Sequence, residues 1–275
     1  MTTVVLTGAS RGIGLAAARA LARHDIDLAL VGRDPARVHA AAESARAEGG
    51  PGSVHEHVAD LAEQADVRRL AAELRAHYPR IDVLANNAGA MFTTRRKTGD
   101  GIEETFALNH LAPFLLTHLL LDELRAGDGR VVTTASDAHR GGRLDPTDVQ
   151  GERGPFRSFR AYGTSKLCNI LFTRELQRRH PELTATCFHP GVIRSGFGKN
   201  DGLLARVGIT LAGVFMSSPE TGAETLVHLA LDPEAGALKG DYLEKGVPVS
   251  PSTAARDDAL ARHLWEESAR LTGLT

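Results

Sequence analysis

Short apolar runs alternate with longer amphipathic stretches along most of this chain, and that alternation limits the fold more than any other feature. The runs at residues 3–7, 28–32, 54–58, 83–85, 130–134, 184–189 and 240–243 are rich in β-branched and aliphatic side chains. Near-continuous apolar character of this kind marks strands covered on both faces, as in a parallel sheet. Between them, residues 13–24, 36–47, 66–77, 109–124 and 161–180 carry helical spacing. Strands alternating with helices of these lengths build βαβ units, so the expected class is α/β with a doubly wound sheet of about seven strands and helices on both faces. No linker divides the chain, and a single domain over 1–275 is expected. Two irregular stretches, 137–160 and 196–219, each follow a strand. In an open α/β sheet ligands bind beyond the carboxyl ends of the strands, so both are candidates for shaping a pocket.

Composition narrows the partners. With 42% hydrophobic and 24% charged residues, the chain reads as an ordinary globular protein. A formal net charge of −2 gives no electrostatic reason for nucleic acid or an anionic membrane as partner. The two cysteines, Cys168 and Cys187, are expected as buried thiols in a reducing compartment. The first residues run directly into an apolar strand without a basic leader, and the most membrane-like window, 207–216, is too short for a span. A soluble, cytoplasmic protein is expected.

The first strand leads into Thr7-Gly8-Ala9-Ser10-Arg11-Gly12-Ile13-Gly14, followed by a helical stretch. Glycines there allow a tight turn and let the backbone approach a pyrophosphate, whose charge sits at the positive helix N-terminus. At the end of the second strand, an acid suits the ribose of NAD, and an arginine suits the 2′-phosphate of NADP. This chain has Val31-Gly32-Arg33, with no acid before Asp34, and Arg11 could reach the same phosphate. NADP(H) is therefore the expected cofactor, bound with charge-assisted bonds from guanidinium groups.

Tyr162 and Lys166 stand four residues apart at the start of a predicted helix, so phenol and ammonium share a face. A tyrosine of pKa near ~10 is a poor acid–base group at neutral pH, and a cation about 4 Å away would lower it. Hydride transfer at a carbonyl carbon requires matching proton transfer at its oxygen, which such a tyrosine can provide.

Taken with Asp60-Leu61, Asn86-Asn87-Ala88-Gly89 and Pro190-Gly191, these motifs resemble those of the short-chain dehydrogenase/reductase family over nearly the whole chain. Asn109-His110-Leu111, Thr134-Ala135-Ser136-Asp137-Ala138-His139, Ser165-Lys166-Leu167-Cys168-Asn169 and Leu264-Trp265-Glu266-Glu267-Ser268 are similar to its retinol-dehydrogenase-like branch. The resemblance implies a Rossmann-type domain, mainly cofactor-binding over 1–135 and catalytic and substrate-binding over 136–275. It implies that Ser136 bonds the substrate oxygen, Tyr162 exchanges its proton, and Lys166 holds the nicotinamide ribose and depresses the tyrosine pKa. Asp60 and Leu61 would flank the adenine, and Asn87, Ala88 and Gly89 would line the cofactor, with Gly8, Ser10, Arg11, Gly12, Ile13 and Gly14 around the phosphates. Pro190 would bind the cofactor, Val192 would meet the nicotinamide carboxamide, and Ser195, also cofactor-binding, stands where the family often has Thr. Ala135 departs from the usual Ser-Ser pair, and Ser136 lies farther from Tyr162 than in most members.

Asn109 follows from the residues directly. In a helix its carbonyl would accept from the N–H four positions on, and Pro113 has none. A helix distortion is expected there, with a carbonyl able to hold a water. The resemblance implies that this water joins a proton relay to the lysine.

Other signals read as structural. His55-x-His57 lacks a third ligand for a metal, and no G-x-S-x-G elbow supports a hydrolase. Arg95-Arg96-Lys97 and Arg153, Arg157 and Arg160 read as solvated loop charges, the second group able to attract an acidic substrate. Apolar residues within 196–219 would suit a flap over a lipophilic alcohol, aldehyde or ketone, or would simply bury one face of a short helix. A catalytically inactive NADP-binding regulatory or scaffold protein is the competing class, and a sugar-nucleotide epimerase or dehydratase shares the fold. The family resemblance also implies a homodimer or homotetramer through the helices at 109–124 and 161–180.

Overall fold

The computed structural model describes residues 1–191 and 218–274. In chain order it runs β1 Thr2–Thr7, α1 Gly12–Leu21, β2 Ile26–Gly32, α2 Pro35–Arg46, β3 Ser53–Val58, α3 Gln64–His77 and β4 Val83–Asn86. A helical turn α4 Glu104–Phe106 then continues through a π-helical turn Ala107–Leu111 into α5 Ala112–Leu119, followed by α6 Leu121–Ala126 and β5 Arg130–Thr134. A 3-10 turn Asp137–Gly141, α7 Ser158–Arg179, β6 Thr184–His189, α8 Pro219–Leu231, β7 Tyr242–Glu244, β8 Val247–Pro248 and α9 Asp258–Leu271 complete the elements used below.

The sheet has eight strands in the order β3-β2-β1-β4-β5-β6-β7-β8. Every pairing is parallel except β7 with β8. Successive residues explain the near-continuous apolar runs. Val4 and Leu6 face α1 and α8 with Leu28 and Leu30, while Val5 faces α3, α5 and α7 with Ala29 and Val31. A strand apolar on both sides has no polar face to show, because helices cover both.

The eighth strand is an addition to the seven expected. β8 is two residues long, too short for any periodicity, and it turns back through Lys245 and Gly246 at φ 52° and 78°. Two successive positive-φ residues make the two-residue hairpin turn whose twist suits paired strands, and glycine supplies the second at no steric cost.

The helix expected across 109–124 is three pieces: the π turn, α5 and α6. Ala112 donates to the Ala107 carbonyl, five residues back, just before Pro113 enters the helix. That is the distortion expected where Pro113 supplies no N–H.

Apart from Phe159 at the start of α7, which is exposed, the apolar residues of α5 and α7 are largely covered. Ala112 through Thr117 are all buried, as is α7 from Ser165 through Thr173. On this side α9 lies over them: the Trp265 ring meets Phe114 edge-on at 5.1 Å, and the Arg179 guanidinium sits 4.8 Å from its centroid. Much of the apolar surface of these two helices is therefore buried within one chain.

Several of the basic residues expected as solvated also brace the 137–160 segment, Lys97 and Arg153 among them while remaining exposed. Arg95 donates to the carbonyls of Gly151, Glu152 and Gly154, Lys97 pairs with Glu152 and Arg153 bonds Thr147. His55 pairs with Asp27 and His57 lies 4.0 Å from Glu73, and no cluster of three metal-ligating side chains occurs among the described residues. Cys168 and Cys187 are buried and not bonded to each other.

Candidate active site

The sequence-selected residues converge at the carboxyl ends of β1, β4 and β5. The glycine turn after β1 is built for close approach. A Cβ on Gly8, at φ +67°, would stand 2.8 Å from the Ala88 Cα, and one on Gly14 would stand 2.1 Å from the Gly8 carbonyl oxygen. Gly12 opens α1 at φ +53° with open space where a side chain would be, and Arg11 before it provides no side-chain cap. The first-turn N–H groups of α1 thus face an uncrowded backbone cradle, the form an anion needs at a helix N-terminus.

Asn87 staples this turn to the segment after β4. Its Nδ2 donates to the Thr7 carbonyl at 3.0 Å, and its Oδ1 accepts from the Thr134 hydroxyl at 3.3 Å. Thr7, at the head of the glycine motif, accepts from the N–H groups of Asn87 and Ala88 at its hydroxyl.

At the end of β2, Gly32 lies against Ser10: a Cβ built there would be 3.4 Å from the serine hydroxyl oxygen. Arg33 is largely exposed and touches Asp60 at 3.5 Å. Asp34, the first acid after β2, caps α2 by accepting from the Arg37 N–H at 3.1 Å and pairs with the Arg37 side chain. Arg11 makes no ion pair among the described residues. Leu61 is buried in the core beside α3.

Ser136 follows β5 and caps the 3-10 turn, its Oγ accepting from the Ala138 N–H at 3.2 Å. The same side chain hydrogen-bonds Tyr162, the fifth residue of α7. Burial raises the Tyr162 pKa above its ordinary value, and the Ser136 bond opposes that rise. The expected depression by Lys166 is not seen. The ammonium donates to the Thr134 carbonyl at 2.7 Å and lies 5.7 Å from the Tyr162 ring centroid, with its own pKa pulled down to about 8 by burial.

Asn109, fully buried in the π turn, grips the segment after β4 and α7 together. Its Oδ1 accepts from the Ala90 N–H at 2.8 Å, and its Nδ2 donates to the Ala90 carbonyl and to the Ser165 Oγ, each at 2.9 Å. Ser165 passes the link on, donating to the Tyr162 carbonyl at 2.7 Å. A Cβ on Gly89 would lie 3.2 Å from Asn109 Oδ1 and 3.4 Å from Lys166 Nζ, so this glycine keeps the floor of the site open. Asn169 shares the Thr134 carbonyl with Lys166. Sequence spacing assigns no role to Ser165 or Asn169, because their contacts join distant elements. Pro190 ends β6 at the same edge of the sheet. Val192, Ser195 and nearly all of the expected flap lie outside the described residues.

A doubly wound α/β protein with its candidate site at the carboxyl edge of the sheet is what this geometry defines. The short chain dehydrogenase model matches residues 2–203. The chain is 43% identical over 275 residues to a candidate daunorubicin C-13 ketoreductase, DnrU, of Streptomyces sp. (strain C5), covering 99% of this chain and 93% of that one. It is 38% identical to human retinol dehydrogenase 13, over 99% of this chain and 85% of that one. A crystal structure of an uncharacterised protein from Mycobacterium paratuberculosis superposes with a TM-score of 0.80 at 32% identity, covering 99% of this chain and 94% of that one. The chain belongs to the short-chain dehydrogenase family, with retinol-dehydrogenase-like relatives. It is an oxidoreductase of that family, whose members bind nicotinamide cofactors. Among the described residues no helix is long and apolar enough to cross a membrane.

Proposed function

We propose that this protein interconverts an alcohol and an aldehyde or ketone using NADP(H), with Tyr162 as the general acid–base group. The observation that carries the reading is the Ser136–Tyr162 hydrogen bond set beside the buried Lys166 ammonium, at the edge of the sheet where the glycine turn opens. Bound nicotinamide would supply or accept the hydride. In reduction, Tyr162 donates its phenolic proton to the substrate oxygen as the carbon becomes a carbinol, and in oxidation it takes the proton back. The Ser136 hydroxyl holds that same oxygen, orienting the carbonyl at the phenol. Lys166, held by Thr134, supports the ribose and supplies positive charge near the phenol. Asn109 fixes Ala90 and Ser165 and so sets the spacing between the segment after β4 and α7.

Preference for NADP over NAD rests on three residues. Arg11 and Arg33 are exposed guanidiniums just beyond β1 and β2, where they would meet the 2′-phosphate, and Asp34 spends its carboxylate on the α2 cap. Gly8, Ser10, Gly12, Ile13 and Gly14 would hold the phosphates, with Asp60, Leu61, Asn87, Ala88, Gly89 and Pro190 along the rest of the cofactor. A lipophilic carbonyl substrate fits the names of the relatives, a candidate daunorubicin C-13 ketoreductase and a retinol dehydrogenase.

The test is oxidation of NADPH and of NADH against a panel of lipophilic aldehydes and ketones. Turnover with NADPH preferred is expected, and Tyr162→Phe should lower kcat by about 10²–10⁴-fold while NADPH still binds. NADPH binding with no turnover of any carbonyl would instead favour an inactive regulatory protein.

A further inference from the structure

His139 is fully buried three residues past Ser136, and the proposed chemistry makes no use of it. Its two ring nitrogens have different partners. Nε2 faces the backbone N–H of Ser252 at 3.1 Å, and Nδ1 faces the Ser136 carbonyl at 2.8 Å. A backbone N–H can only donate, so Nε2 accepts. The imidazole proton therefore sits on Nδ1 and is donated to Ser136. The carbonyl of Ser136 receives a second bond from the His139 N–H at 3.1 Å.

The ring itself is clamped. Tyr242 packs edge-on against it at 5.1 Å, with its hydroxyl bonded to Glu244. Arg140 joins Asp137 to the same Glu244. Burial holds the imidazole below its ordinary pKa, and an imidazolium would set an Nε2–H against the Ser252 N–H, donor facing donor.

We infer that His139 is a positioning residue for Ser136: one neutral tautomer ties the Ser136 backbone to the chain that follows the β7–β8 hairpin, fixing the serine hydroxyl on Tyr162. The inference rests on the catalytic reading of Ser136 given above. It gives the segment around Ser252, far from the reacting atoms in sequence, a part in placing them.

The two nitrogens can be tested separately. Asparagine offers a donor near the Nδ1 position, and glutamine offers an acceptor near the Nε2 position. His139→Asn keeps the bond to Ser136 but gives up the one to Ser252, so its kcat should fall by about threefold, less than in the glutamine variant. His139→Gln should lose about tenfold or more in kcat, with substrate KM and NADPH affinity unchanged. Ser136→Ala serves as the reference for loss of the hydroxyl.

If Ser136→Ala loses activity while His139→Gln keeps full kcat, the positioning role is overturned and the catalytic reading stands. If Ser136→Ala itself keeps full kcat, both fall. Equal loss in the Asn and Gln variants, in step with lowered Tm, would mark a purely structural histidine and overturn the inference. Nitrogen-15 chemical shifts of His139 in the unmodified protein, which do not depend on any variant folding, should show Nδ1 protonated and Nε2 bare. The opposite tautomer would overturn it.

Discussion

Lys166 carries an ammonium where burial works against the charge, and its pKa falls to about 8. The folded value lies below the unfolded one of about 10.4, so the group opposes folding most at pH below 8 and less as pH rises toward 10.4. The catalytic consequence has the opposite sign. As pH climbs through about 8, the proton leaves, and with it the positive charge beside Tyr162. The reductive kcat/KM is expected to be level below that pH and to fall above it, while the raised Tyr162 pKa keeps the phenol protonated across the same range. A pH profile still level at about pH 10 would rule out a role for the ammonium in the free enzyme. The Tyr–Lys spacing was legible in the sequence, because four residues along a helix always share a face. The direction of each pKa was not. It depends on how much protein lies over the pair and, for the phenol, on the Ser136 hydroxyl that opposes the rise.

At the scale of elements, the π turn and α9 depend on each other. His110, fully buried in the turn, meets the Ser268 hydroxyl of α9 at 2.9 Å, and Ser268 in turn donates to the Leu264 carbonyl. The Nδ1 of His110 has no hydrogen-bond partner among the described residues, so the Ser268 contact is the ring's one polar satisfaction there. Ser268→Ala should therefore cost about 1–3 kcal/mol, read as a lower denaturant midpoint. An unchanged midpoint would mean that the contact contributes nothing. The distortion itself was readable from Pro113, since a missing N–H is a covalent fact. That His110 and Ser268 would meet was not readable: both appeared as letters in motifs 158 positions apart. The hairpin between β7 and β8 was half-legible. Lys245-Gly246 carries the turn signal, and two paired residues carry no periodicity.

For the whole molecule, the enclosure of α5 and α7 by their own chain bears on assembly. A homodimer through these helices would need apolar surface that α9 and the rest of the chain already cover. Light scattering at micromolar concentration is expected to give the mass of one chain. A dimer mass would show that another surface, or a displaced α9, makes the interface.

The amino-acid sequence by itself determined the order of strands and helices, the glycine turn, the Tyr–Lys pair and the break at Pro113. Each of these is local: it follows from residue spacing, from the absence of a Cβ or from a missing N–H. Only the tertiary structure decided which charges are buried, that Asp34 caps a helix, and that α9 closes over the central helices. It also decided that two histidines hold the C-terminal segment to the candidate site. Those outcomes depend on which distant groups share a hydrogen bond or exclude water from one another, and no local pattern encodes the approach of chain segments a hundred residues or more apart.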